Sequence, residues 1–188
     1  EDTAPVSLAR ILVALDASEH ANKALEQAVR LAKSADGVIT GIHAYAAALH
    51  DRRFKMMEGG LPERYREEEE MGYQREVHDD LIGRGLGIIT DSYHDAGGET
   101  CAEAGVEFRR LSPEGKNYTK VVEAVESGEF DVLAIGALGL GAMPGSLIGT
   151  VAERVVRRSP IDCFVVRDPK KAIGDGPIVV GLDGSPKS

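Results

Sequence analysis

Apolar residues along the chain fall into two alternating rhythms. The first stretch, Ile11 to Leu15, is almost wholly apolar and stops at Asp16, the pattern of a short parallel strand covered on both faces. A helical rhythm follows at Ala21, Ala24, Leu25, Ala28, Val29 and Ala32, with Ser18 placed to cap its start and "SADG" predicted to stop it at Gly37. "GVITGIHAY" predicts a second strand, "AGVEFRRL" a third, and "NYTKVVEAVESG" a helix with Val121, Val122 and Val125 on one face. "FDVLAIG", "TVAERVVRR" and "IDCFVVR" complete the series as strand, helix and strand. Strands alternating with helices of this length predict an α/β fold, a five-stranded parallel sheet with helices on both faces in the Rossmann-like manner.

The rhythm loosens between Tyr45 and Gly105. From Glu58 to Asp80 there are nine acids against three arginines, and the segment through Gly85 has no continuous apolar stripe beyond Tyr65, Met71, Val77, Leu81 and Ile82. A long helical insertion after strand two, over about 46–104, is expected: an exposed acidic helix or arm, including "REEEE" from Arg66 to Glu70, then a second helix weakened by Gly97 and Gly98. The acid run reads first as a solvated face and second as a surface for a protein partner. At the other end, Val180 to Ser185 repeats Val13 to Ser18 in strand, acid and capping serine. That repeat divides the chain into a domain over 1–168, a linker over 169–176, and the first strand of a truncated second repeat over 177–188.

A formal net charge of −9 disfavours a nucleic-acid partner, which requires a basic surface to release counterions. No apolar run predicts a membrane span. The two cysteines, Cys101 and Cys163, have no paired spacing, which fits a reducing cytoplasm; Cys163 reads as a core residue and Cys101 as one that can be exposed. His43 reads as a packed strand residue. His78 with Asp79 and Asp80, and Asp91 with His94 and Asp95, could meet a metal but lack an established ligand spacing, so a solvated helical face is preferred.

The densest chemistry is in "IGALGLGAMPGSLIGTVAERVVRR". Glycines at 136, 139, 141 and 145 precede a helix whose start carries Thr150 and Glu153, the spacing of a capping box. Bare backbone ahead of a helix N-terminus suits an anion, and in a parallel sheet this stretch and Asp16 would open on one crevice if strands one and four are neighbours. The threonine could equally cap its own helix. No G-x4-G-K-[ST] loop and no G-x-S-x-G elbow is present, which removes the usual phosphate-loop and serine-nucleophile enzymes.

The spacing G-x2-G-x9-G-[ST] at Gly136, Gly139, Gly149 and Thr150, followed by "VAERVVRRSPIDCFVV" and preceded by "ILVALDAS", resembles the ATP-binding signature of the universal stress protein family. The resemblance covers 9–45 and 105–168. It implies that Asp16 holds the adenine and ribose end of a nucleotide, with main chain near Ala14 and Ala44. It implies that Gly136, Gly139, Leu140 and Gly141 wrap ribose and phosphates, and that Gly149, Thr150 and Val151 bind phosphate oxygens. The cofactor implied is ATP, or ADP or AMP, with or without Mg²⁺. Ala137, Leu138 and Leu140 depart from relatives that carry polar or basic residues there, so no side chain in that stretch neutralises phosphate. The resemblance admits two roles: a cytoplasmic nucleotide-binding stress-response module, or a nucleotide-free interaction module. In the second, strand five pairs with its counterpart in another domain; the partner expected is a second copy in a homodimer or a second repeat in a pseudo-dimer. No general base is identifiable, so hydrolysis would be slow at most.

Overall fold

The computed structural model describes residues 7–63 and 67–184; Tyr65, Arg66 and Ser185, singled out above, lie outside the described residues. Five strands form one parallel sheet: β1 (Arg10–Ala14), β2 (Val38–Ile42), β3 (Glu107–Leu111), β4 (Val132–Gly136) and β5 (Asp162–Val166), in the order β3-β2-β1-β4-β5. β1 registers against β2 from Arg10 with Val38 to Ala14 with Ile42, and against β4 from Ile11 with Val132 to Val13 with Ala134. Being central, β1 and β4 are buried on both faces, which is why their sequences run apolar without alternation.

The sheet separates two cores. On one side α1 (Glu19–Ser34) brings Leu25, Ala28, Val29 and Ala32 onto Ile11, Val13 and Ile39. On the other, α4 (Asn117–Glu126) and α5 (Thr150–Val156) bring Val121, Val125 and Val155 onto Leu12, Leu133 and Ile135. Ser18 caps α1 as expected, its hydroxyl accepting from the Ala21 N–H at 3.2 Å. The helix ends one residue earlier than "SADG" suggested. Asp36, at φ 50°, takes the left-handed turn, and Gly37 is instead held against the Leu8 carbonyl, where a Cβ would come within 2.5 Å.

The insertion departs most from expectation. It comprises α2 (Ala47–Glu58) and a single 37-residue helix, α3 (Glu68–Ala104), not two successive helices. Gly97 and Gly98 do not break it, because they lie against the Phe108 ring of β3: a Cβ on Gly97 would meet Phe108 Cζ at 3.1 Å, so their bareness lets the helix settle on the sheet. Gly105, at φ 71°, ends it and donates to the Ala102 and Cys101 carbonyls. Cys101 is fully buried against the first core, contrary to its expected exposure, and burial pushes its thiol up to about 11.

Past β5 the chain folds back on α1. The Ile173 N–H donates to Gln27 Oε1 at 2.9 Å, and Gln27 is buried. Residues 177–184, expected to begin a second repeat, form no strand; Ile178, Val179 and Leu182 are 76–90% exposed. A strand requires a ladder partner, and no sheet edge of this chain meets that segment. Among the described residues, no helix is long and apolar enough to cross a membrane.

Candidate functional site

The chain leaves β1 toward β2 on one side of the sheet, while β4 and β5 lie on the other. The adjacent ends of β1 and β4 therefore open a crevice at a reversal of strand order. Its volume is about 410 Å³. Ala14, Asp16, Ala44, Gly136, Gly139, Leu140, Gly141, Gly149, Thr150 and Val151 all line it.

Asp16 is anchored from both oxygens. Oδ1 accepts from the Ser18 N–H at 3.0 Å, and Oδ2 accepts from the Leu140 N–H at 3.3 Å across the crevice floor. Ala17, between the two, is held in the left-handed region at φ 58°, a strained setting for a residue with a Cβ. The Ser18 hydroxyl, besides capping α1, donates to the Leu138 carbonyl at 3.2 Å. Strand one thus pins the glycine loop at two points. The loop is this close because it lacks side chains: a Cβ on Gly139 would stand 2.5 Å from Asp16 Oδ2, and one on Gly136 would stand 2.7 Å from the Ala21 nitrogen.

The start of α5 differs from the capping-box expectation by one residue. Gly149 is the N-cap, with no side-chain cap bond, and Thr150 is already the first helical residue. The Glu153 carboxylate faces Arg157 at 3.1 Å instead of reaching back to the cap. The Gly149 N–H is used within the chain, donating to the Ala137 carbonyl at 2.6 Å. By contrast, the N–H groups of Gly139, Gly141, Thr150 and Val151 meet no acceptor among the described residues. No lysine or arginine lines the crevice among those residues, and Asp16 is its one carboxylate. Such a site offers backbone donors, a few neutral polar side chains and one carboxylate, and no lysine or arginine among the described residues to oppose a phosphate.

Two lining residues escaped the sequence reading. Asn117 starts α4, and Tyr93 comes from α3, so the insertion contributes to the crevice. Tyr93 packs edge-on against His43, with ring centroids 4.8 Å apart, and His43 Nδ1 donates to the Leu15 carbonyl at 2.9 Å, directly before Asp16. No periodicity marks Tyr93 as special; only the position of α3 does.

The remaining histidines do not gather ligands. Among the described residues, no group of three or more His, Cys, Asp or Glu side chains could hold a metal ion. His94 is fully buried, with Nε2 at 2.9 Å from the Ser112 hydroxyl and Nδ1 without a partner among the described residues. Burial first, and the neighbouring Arg110 second, hold its imidazole below the ordinary histidine range.

Comparison with known proteins agrees with this architecture. Universal stress protein YxiE of Bacillus subtilis is 22% identical over 158 residues, covering 84% of this chain and 98% of its own length. Universal stress protein UspA from Lactobacillus plantarum superposes with a TM-score of 0.60 at 16% identity, covering 88% of this chain and all of that one. A universal stress protein family protein from Arabidopsis thaliana, solved with AMP bound, superposes with a TM-score of 0.54 at 16% identity, over 84% of this chain and 90% of that one. The model of the universal stress protein family matches residues 8–167, which takes in every strand of the sheet and the whole crevice. With fold, loop and family model in agreement, the chain belongs to the universal stress protein family.

Proposed function

We propose that the crevice binds an adenine nucleotide, ATP or its products ADP and AMP, and that the chain acts as a nucleotide-responsive module in a cytoplasmic stress response. One observation carries this: unpaired N–H groups of Gly139, Gly141, Thr150 and Val151 line a crevice that also holds an anchored carboxylate. Asp16, with main chain at Ala14 and Ala44, takes the adenine and ribose end. Gly136, Gly139, Leu140 and Gly141 surround ribose and the first phosphate. Thr150 and Val151 donate to the outer phosphates, joined by Gly149 once its bond to Ala137 opens. Since no lysine or arginine among the described residues lines the crevice, a divalent cation such as Mg²⁺ supplies the missing positive charge. The AMP bound to the Arabidopsis relative supports the choice of base.

A second reading has its own support. β5 is an edge strand with one free side, suited to pairing with a second copy or a following repeat, and this pairing does not require a nucleotide. Nucleotide chromatography and mass spectrometry of gently purified, heat-denatured protein separate the two. Adenine nucleotide near one per chain is expected. An empty protein that also fails to bind added ATP with Mg²⁺ would leave the interaction module as the function.

A further inference from the structure

The outer half of α3 carries an uncovered apolar stripe. Tyr73, Val77, Leu81 and Ile88 recur at steps of four, four and seven residues, one helical face, and are 63%, 42%, 69% and 70% exposed. That face points away from α2. On the other side of the helix, Arg75 meets the Glu58 carboxylate of α2 at 2.9 Å, and His78 stacks on Phe54 with ring centroids 4.2 Å apart. From Tyr73 to Ile88 the stripe runs about 22 Å, roughly four turns, the contact length of one packed helix. A shallow groove lined by Tyr73, Glu76, Val77, Asp80 and Arg84 lies along it. A contiguous apolar surface of this kind on a water-exposed helix marks an interface.

The charges beside the stripe select the partner. Glu69, Glu76 and Asp80 follow one flank and Glu70 stands at its end, so four carboxylates face one guanidinium, that of Arg84. Arg84 is itself committed to Asp80 at 2.7 Å, and no described residue pairs with Glu69 or Glu76. A second copy would set acidic flank against acidic flank between molecules of net charge −9 each. An anionic lipid surface is repelled in the same way. We propose that this face of α3 docks a basic amphipathic helix of another protein, its leucine-type residues on Val77 and Leu81 and its lysines or arginines beside Glu69, Glu76 and Asp80. The proposal rests on the stripe and its flank, and stands whether or not the crevice holds a nucleotide.

The test uses the full chain and a fluorescein-labelled model helix of about four turns, with leucines on one face and lysines on the other. A scrambled isomer of equal charge and no apolar face serves as control. Anisotropy titration is expected to show binding of the amphipathic peptide that weakens as salt rises, and none of the isomer. Leu81→Glu, at a side chain exposed enough to leave the helix intact, is expected to weaken binding about tenfold or more. A double change, Glu69→Lys with Glu76→Lys, is expected to transfer the preference to an acidic amphipathic peptide. Binding unchanged by Leu81→Glu, equal binding of both peptides, or no binding at all would overturn the proposal. So would sedimentation showing a wild-type dimer that Leu81→Glu dissociates, since the stripe would then be covered by a second copy.

Discussion

At the crevice one added carbon has nowhere to go: a Cβ on Gly139 falls 2.5 Å from the Asp16 carboxylate. At Gly72, Gly83 and Gly85 of α3 the same carbon meets nothing within 4 Å. The two sets of glycines look alike in sequence and are held by different physics. Gly136, Gly139 and Gly149 are crowded by Ala21, Asp16 and Ala137, so their bareness is a requirement of the site, whereas Gly141 lines the crevice with open space around it. Those of the outer arm are surrounded by water and cost only helix propensity. α2, which braces the arm, has no buried residue, and the pair is fastened by the Arg75 fork to Glu58 and by the Phe54–His78 stack. The sheet end of the molecule is a rigid seat; the arm is a presented surface.

This contrast can be broken at the seat first. Gly139→Val should reduce nucleotide affinity about 100-fold, or about 2.8 kcal/mol, by isothermal titration calorimetry. Circular dichroism should report an unchanged fold, and unchanged affinity would refute the assignment of the loop. Tyr93→Ala probes the point where the insertion enters the crevice. Removing the ring beside His43 should weaken the nucleotide roughly tenfold, about 1.4 kcal/mol, and an unaffected affinity would separate the insertion from ligand binding.

His94 gives the joint between the regions a pH signature. Its folded-state pKa is depressed, so the stability it contributes is present above the unfolded value of 6.5 and is lost as pH falls through the folded one. Urea titrations should therefore lose about 1 kcal/mol per pH unit from this group as pH falls from 6.5 toward the folded-state pKa. Arg110, His43, Asp91 and Asp95 face the same imidazole, so the decisive comparison is His94→Gln, which should flatten the slope. Arg75→Ala should speed hydrogen exchange across 47–58 and leave the sheet protected; equal change in both would deny the arm its independence. Thr150→Ala should alter stability by less than about 0.5 kcal/mol, since Thr150 sits inside the helix and caps nothing. A full cap's loss in thermal unfolding would contradict that placement.

The sheet was legible because β1 and β4 are buried on both sides and so carry unbroken apolar runs. The crevice was legible because close backbone approach leaves a glycine spacing that few other demands produce. α3 was legible as a long helical insertion but not as one continuous helix seated on the sheet, and its buried residues explain why. Thr90, His94, Gly97 and Cys101 step along one face at helical intervals, but they are small or polar, so the stripe that seats the helix carries no hydropathy signal. Tyr93 stayed hidden for the same reason. The capping box misled by one position: Thr150 and Glu153 have the right spacing, yet Gly149 occupies the cap and Arg157 takes the glutamate. The strand expected at Val180 is not formed, since strand propensity is realised only beside a strand.

Because α3 is one uninterrupted helix of 37 residues, about 55 Å long, a displacement at its crevice end would be passed along its whole length. Tyr93 lies at the short end and Glu69 about 36 Å away, so a tilt of about 5° where the ring touches a ligand would carry the acidic tip about 3 Å. A two-helix insertion broken at Gly85, between the ring and the tip, would absorb that motion.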